Sequence, residues 1–351
     1  MFGIVKQAAD SGGEYTVLAG SCANFTDRVS GWNPQDVLIL HCGFDQDLDN
    51  WFLDKIRARG VSADVALRPL PLRALRGLRR LHLLSNVPCK QIWFERWNRL
   101  DPRRRLVVVH ASDLTIPVAE RAARCFPSAR VVFWYWNPAG KGTDPNKSRA
   151  KGFERWSFEQ RDCDKFGMRF NTQFMFSEVG LIGKRVVPDV DFFFFGADKG
   201  RSGELVRLAS AAEELGFTHR FRVVRDVTSP GGQRDQRLEW CSPAPYGVVL
   251  EEAARGRVVV DFVQHGQSGM TLRVLEALFL GRKLLTNNVD IIDSPVYDRK
   301  RVFVWGVDDI RELPAFLRTT VDLPARELLQ CYDFGGWLDR FRVVGTTAEE
   351  V

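Results

Sequence analysis

The sequence predicts an α/β protein organised as two doubly wound domains. Three observations carry that reading. Short apolar strand-like runs alternate with helix-like segments in both halves of the chain, and 351 residues suffice for two domains of ordinary size. The stretch 257–288 also spells out a strand, a glycine-bounded loop, a helix and a second strand within about thirty residues.

In the first half the strand-like runs are 37–40 (VLIL), 106–109 (LVVV) and 130–135 (RVVFWY), separated by segments of helical character at 51–59 and 117–125. Such alternation implies a parallel sheet wrapped by helices, and residues 1–150 are assigned to this domain. From 137 to 190 the periodicity fades and NPAGKGTDPNKSRAKG reads as a loop, so 151–190 are expected to cross between domains. The second domain, 191–330, opens on the strong strand 191–195 (DFFFF), followed by GADKGR and a helix from about 202 to 215. Residues 221–224, 258–263, 283–286 and 302–305 supply its further strands. Residues 331–351 are read as a C-terminal helix and tail, in which YDFGGWLDRF packs Trp337 across to the other domain.

Composition narrows the function classes. With 45% hydrophobic and 27% charged residues the chain is globular rather than disordered. It has no apolar run of about eighteen residues and no signal-peptide-like N-terminus, so neither a membrane span nor export is expected, and the expected location is the cytoplasm. Seven dispersed cysteines without a CxxC pair fit buried free thiols and argue against a disulfide framework or a zinc site. Cys163, between Asp162 and Asp164, has no nearby histidine base in sequence and is not expected to be catalytic.

The net charge of +6 comes from concentrated arginine. Arg68, Arg73, Arg76, Arg79 and Arg80 lie in RPLPLRALRGLRRLHLL, and Arg96, Arg99, Arg103, Arg104 and Arg105 in RWNRLDPRRR. A negatively charged partner follows: a phosphorylated substrate, an anionic lipid surface or a nucleic acid. The aromatics lie inside strand-like runs rather than among the basic blocks, which argues against nucleic acid. Segment 68–84 suits an anionic membrane surface; the plainer reading is a solvated basic face, with two prolines and Gly77 interrupting any continuous helix.

Within 257–288 the valine-rich run 258–263 is apolar except for Asp261, and it breaks at Gln264, His265, Gly266, Gln267, Ser268 and Gly269. Ser268 is a plausible N-cap and Gly269 lets the backbone approach a ligand. The helix that follows carries Leu272, Leu275, Leu278 and Phe279 on one stripe, leaving Thr271, Arg273 and Glu276 off the apolar face. Its first-turn N–H groups, its dipole and Arg273 favour an anion; the plainer reading makes Arg273 and Glu276 an i,i+3 surface pair. Asp45, Asp47 and Asp49 of DQDLDN are read as capping the next helix, so no metal is expected.

Four blocks, WNP at 136–138, DFFFFGADKGR at 191–201, GQSGMTLRVLEALFLGRKLLTNN at 266–288 and YDFGGWLDRF at 332–341, together resemble bacterial glycosyltransferase-like proteins of capsular polysaccharide and lipopolysaccharide biosynthesis. The resemblance spans roughly residues 131–341 in scattered blocks. It implies a GT-B-like architecture, two Rossmann-like domains facing across a cleft, and a nucleotide-sugar donor held by the second. It further implies that Lys199 and Arg201 grip the donor diphosphate, that Gly269, Met270 and Thr271 form a helix start beneath it, and that Glu276 lies near the ribose. Retaining enzymes of this fold often carry a second glutamate eight positions earlier, where this chain has Ser268.

Gln264, His265 and Gln267 are candidates for sugar hydroxyls or phosphate oxygens. For an inverting transfer the base is expected after the LVVV strand, Asp113 first and His110 next, with His41 placed similarly after VLIL. Lys199, Arg201, Arg273 and the helix terminus meet the leaving charge, so no cofactor and no metal is expected. The expected partners are a nucleotide sugar and a glycan or lipid-linked glycan acceptor. The alternatives are a GT-B-type nucleotide-sugar epimerase, a non-catalytic family member acting as an assembly partner and, against the placement of the aromatics, a nucleic-acid-binding protein. Plainer roles stand beside these: Lys199 and Arg201 solvating a turn, Asp113 and His110 capping a loop, and Trp136 packing against the domain crossover.

Overall fold

In a computed structural model of the chain, residues 4–5, 16–17, 31–43, 46–101, 103–140, 143–149, 151–229, 235–264 and 268–342 are described. They fall into two compact units: the first spans Arg28–Gln173 and takes back the chain from Trp337, and the second spans Phe174–Gly336. A short antiparallel ladder of β1 (Ile4–Val5) with β2 (Thr16–Val17) precedes the first unit in sequence and groups with the second.

The first unit contains β3 (Val37–His41), α1 (Gln46–Arg57), β4 (Ser62–Val65), α2 (Arg73–Leu84), β5 (Leu106–His110), α3 (Ile116–Cys125), β6 (Arg130–Tyr135), β7 (Glu154–Ser157), α4 (Gln160–Phe166) and β8 (Arg169–Phe170). Its six strands pair in parallel in the order β4-β3-β5-β6-β7-β8. Both faces of the central strands are covered, which is why β3 and β5 read as unbroken apolar runs rather than alternating ones. Leu38, Leu40, Val107, Val109 and Phe133 form one core with Val118, Ala119 and Ala122 of α3. α2 runs through Gly77 without a break, because Pro69 and Pro71 stand before its first turn rather than inside it.

The second unit contains α5 (Val179–Arg185), β9 (Val190–Ala197), α6 (Ser202–Glu214), β10 (His219–Val224), β11 (Leu238–Cys241), α7 (Tyr246–Ala254), β12 (Gly256–Asp261), α8 (Leu272–Leu280), β13 (Lys283–Thr286), β14 (Val302–Val304), α9 (Leu313–Arg318) and α10 (Arg326–Tyr332). Its parallel sheet has the order β11-β10-β9-β12-β13-β14. Phe192 and Phe194 of β9 pack with Leu205 and Leu208 of α6, so the phenylalanine run is core, as expected. α8 lies between this sheet and the helices α5 and α7. Gly183 allows α5 to approach, since a Cβ there would collide with the Leu280 backbone.

A last helix, α11 (Phe334–Arg340), carries the chain back to the first unit, where Trp337 is buried 5.7 Å from Trp134 and 4.8 Å from Phe341, ring centre to ring centre. Asn171 Nδ2 donates to the Trp337 carbonyl at 3.1 Å.

The segment 151–190 differs from its expectation as a crossover. β7 and β8 extend the first sheet, with α4 between them, and the units divide at residue 173. ERWS and RF are too short and too polar to show a period, and their pairing partners supply what their own sequence does not.

Six of the seven cysteines fall among the described residues, and none of the six forms a disulfide. Burial pushes the Cys163 thiol up to about 12, which suits an inert packing role. Among the described residues no helix is long and apolar enough to cross a membrane.

Candidate functional site

β9 and β12 are neighbours in the second sheet, but the chain leaving β9 continues to β10 on one side and the chain leaving β12 continues to β13 on the other. The connections part there, at the C-terminal ends of the two strands, the position where open α/β sheets bind ligands in a crevice. Arg201, Asp261, Thr271 and Arg273 meet at this point.

Asp261 ends β12 and is fully buried. Its Oδ2 accepts from the Thr271 hydroxyl at 2.9 Å, while Oδ1 accepts no hydrogen bond and lies 3.7 Å from Arg273 Nη1. Arg273 is fixed on three sides: it donates to the Phe195 carbonyl at 3.1 Å, stands 4.8 Å above the Phe194 ring and faces Asp261. Gly196 makes this possible, because a side chain there would occupy the space of the guanidinium.

Arg201, buried in the turn after β9, donates to the Ala197 carbonyl at 3.1 Å and keeps a buried Nε without a hydrogen-bond partner. Burial first, and then the neighbouring Arg273, draws its pKa down to about 10. Arg201 and Arg273 thus lie close together beside the buried Asp261, with Asp198 and Asp226 also acting on Arg201.

The start of α8 differs from expectation. Thr271, not Ser268, is the N-cap residue, and its hydroxyl is turned to Asp261, so among the described residues no side chain caps the first turn. The N–H groups of that turn remain for another acceptor, and the helix dipole adds positive potential. The Ser268 carbonyl instead accepts from Asn288 Nδ2 at 2.9 Å.

Glu276 also differs from a surface i,i+3 partner of Arg273. α8 is buried from Val274 to Leu280 because it is enclosed on more than one side, so the carboxylate points inward. The Tyr246 hydroxyl, from the start of α7, donates to it at 2.7 Å. Burial raises the Glu276 pKa, with Arg273 and Tyr246 pulling the other way.

Lys199 stands exposed on the same turn as Arg201, with φ of 47° and its backbone N–H donating to Asp226 at 2.8 Å. Gly269 is buried and Gln264 half-buried near the α8 start; His265 and Gln267 lie outside the described residues.

In the first unit Asp113 lines a pocket of about 480 Å³ with Arg80, Leu84, Ser112 and Thr143. Its carboxylate accepts from the Asp144 N–H at 2.7 Å and pairs with Lys147 at 2.6 Å. His110, the last residue of β5, turns instead toward His41 and Trp136, with ring centres 5.4 and 5.6 Å away. Its Nδ1 is buried and makes no hydrogen bond, and burial followed by the proximity of His41 lowers its pKa to about 3. Trp136, expected against the domain crossover, closes over the two histidines.

Sequence reading passed over Asp261 and Tyr246 as site residues. Asp261 had a signal, a lone acid in a valine run. Tyr246 had none, since it reaches Glu276 from a different helix.

No protein-family model matches the chain, and no curated protein does. Solved structures match its fold over most of its length. The Anabaena protein HepE, solved with UDP and glucose, has a TM-score of 0.51 at 10% identity, covering 88% of this chain and 98% of that one. AviGT4, a glycosyltransferase involved in avilamycin A biosynthesis, has a TM-score of 0.51 at 13% identity, covering 87% and 96%. An alpha-glucosyltransferase in complex with UDP and a 13-mer DNA has a TM-score of 0.50 at 11% identity, covering 87% and 95%. The chain therefore has the fold of GT-B glycosyltransferase structures, two parallel six-stranded sheets with flanking helices.

The buried Glu276 yields a prediction about pH. A carboxyl whose folded pKa lies above its unfolded value favours folding fully below the unfolded value of 4.5, and that contribution is lost as pH rises through the folded pKa. Glu276→Gln removes the loss while keeping an acceptor for Tyr246. The variant is expected to melt above the wild type at about pH 7, with the gap closing as the pH falls toward about 4.5. Thermal melts across that range check it, and a wild type that melts higher at neutral pH would contradict it.

Proposed function

We propose that this protein transfers a sugar from a nucleotide-sugar donor to a surface-polysaccharide acceptor. The observation that carries the reading is the uncapped start of α8 facing Arg201 and Arg273 at the point where β9 and β12 part. A diphosphate suits this place: it is doubly charged, accepts many hydrogen bonds, and gains charge on its bridging oxygen as the bond to the sugar breaks. Fixed guanidiniums and backbone N–H groups stabilise that charge without reorganising, so a divalent ion at the donor site is not required. HepE and the alpha-glucosyltransferase were both solved with UDP, which supports a nucleotide of this class.

In the proposed assignment Lys199 lies at the exposed edge of the diphosphate, Gly269 and Thr271 beneath it, and Glu276 toward the ribose. Gln264, with His265 and Gln267, meets sugar hydroxyls or phosphate oxygens. The acceptor side falls to the first unit, with Asp113 as the base that takes the acceptor hydroxyl's proton. The His110 pKa is lowered to about 3 by burial of the ring, which makes it the weaker choice for that role.

Calorimetric titration with a panel of nucleoside diphosphates tests the donor assignment. One nucleotide is expected to bind, and Arg273→Met is expected to weaken it by about 10- to 100-fold, the loss of one or two charge-assisted hydrogen bonds. Asp113→Asn is expected to bind that nucleotide normally while transfer falls by about 100-fold or more. No binding by folded protein would favour a non-catalytic assembly partner, and conversion of the donor sugar without an acceptor would favour an epimerase.

We further propose that the first unit docks on an anionic membrane, where a lipid-linked acceptor is carried. α2 exposes Leu75, Leu78, Leu81 and Leu84, the third of these 71% accessible, together with Arg73, Arg76 and Arg80. Leu83 and Arg79, whose guanidinium donates to the Arg68 carbonyl at 2.6 Å, anchor the helix from the opposite side. Leucines facing out between arginines match a lipid interface carrying negative headgroups. Sedimentation with phosphatidylglycerol-containing vesicles is expected to carry the protein down, and phosphatidylcholine vesicles much less. Replacing Leu78 and Leu81 by serine is expected to abolish the effect. Equal behaviour of wild type and variant would leave α2 as a solvated basic face.

A further inference from the structure

The first unit has its own parting point, and the groups gathered there are not used by the proposed transfer. β3 and β5 are neighbours in the sheet; the chain leaving β3 goes to β4 on one side and the chain leaving β5 goes to β6 on the other. Each of the two strands ends in a histidine, His41 and His110. α1, the helix following β3, turns Asp49 into the same place: Asp49 is only 5% exposed, whereas Asp47 on the same turn faces solvent. The expected capping role of DQDLDN therefore does not describe Asp49, and Asp45 lies outside the described residues.

One ligand-capable atom each of His41, Asp49 and His110 lie within 4.8 Å of one another. His41 Nδ1 and Asp49 Oδ1 are 2.9 Å apart. The two imidazoles meet edge to face with centres 5.4 Å apart, and Trp136 and Phe52 close over them. A second observation is independent of the clustering. His110 Nδ1 is buried and has no hydrogen-bond partner, an arrangement that buried polar atoms rarely keep.

We propose that His41, Asp49 and His110 form a binding site for a divalent transition-metal ion of the zinc class. Two imidazoles and one carboxylate are a donor set for such borderline ions, whereas magnesium and calcium prefer oxygen alone. Ligands about 2.0–2.2 Å from a metal lie about 3–4 Å from one another, so the three side chains close by about 1 Å on binding. Three protein ligands leave a fourth position for a water or a hydroxyl-bearing molecule. The site is confined to the first unit and is independent of the donor assignment.

The test uses the full chain, freed of metal by dialysis against a chelator and titrated with cobalt(II). One equivalent is expected to produce the visible absorption of a low-symmetry cobalt site, which zinc(II) then displaces. His110→Gln and Asp49→Asn are each expected to weaken binding by about 10-fold or more, while Cys42→Ser, a control for the neighbouring thiol, leaves it unchanged. X-ray absorption of the zinc-loaded wild type needs no variant to fold and is expected to give a nitrogen and oxygen shell with imidazole scattering. Absence of stoichiometric binding, binding indifferent to both variants, or a sulfur shell would overturn the proposal. The nucleotide titrations are unaffected by any of these outcomes, so the two readings fail separately.

Discussion

Asp261 carries a carboxylate at the end of a buried valine strand, with none of its surface exposed. Taking such a charge out of water costs several kcal/mol unless it is paired. The pairing organises the surroundings. Thr271 spends its hydroxyl on Asp261 and so leaves the start of α8 uncapped; Arg273 lies over Gly196 and the Phe194 ring to reach it; Arg201 closes in beside Arg273 despite their like charge. Asp261, together with Asp198 and Asp226 near Arg201, offsets the repulsion between the two arginines, and this strand end with the helix start beside it is the proposed anion site.

Glu276 shows the same logic one turn further along α8. A neutral side chain of the same shape would suit its enclosed position better, yet a carboxylate stands there with Tyr246 donating to it. A locally unfavourable residue kept in place is what a site produces when chemistry, rather than stability, sets the residue type. The His41–Asp49–His110 group in the first unit is comparable: polar groups gathered at the ends of two apolar strands, one of them with a buried nitrogen left unsatisfied. In each unit the polar cluster lies where adjacent parallel strands send their connections to opposite sides.

Much of this was legible in the sequence, and what was not has physical reasons. The central strands announce themselves because burial on both faces demands unbroken apolar runs, as in VLILH and LVVVH. The peripheral strands SADV, ERWS, RF and LEWC do not, since backbone pairing to a formed sheet stabilises them with little help from side chains. The stripe on α8 suggested a half-exposed helix, whereas packing by α5 and α7 buries it from Val274 onward and sends Glu276 inward. Arg201 and Arg273 were identifiable by charge beside glycine and a helix start. Their shared counter-charge was visible as an acid in a valine run, but its pairing depends on side chains brought together from β9, β12 and α8.

A crystal structure of the second unit's crevice in the intact protein, grown with the tightest-binding nucleoside diphosphate, tests the central claim most directly. The account predicts the diphosphate at the start of α8, accepting from its first-turn N–H groups and within hydrogen-bonding distance of Arg201 and Arg273, with Asp261 still buried beneath them. A nucleotide bound away from that helix start, or seated there with both arginines turned aside, would contradict it.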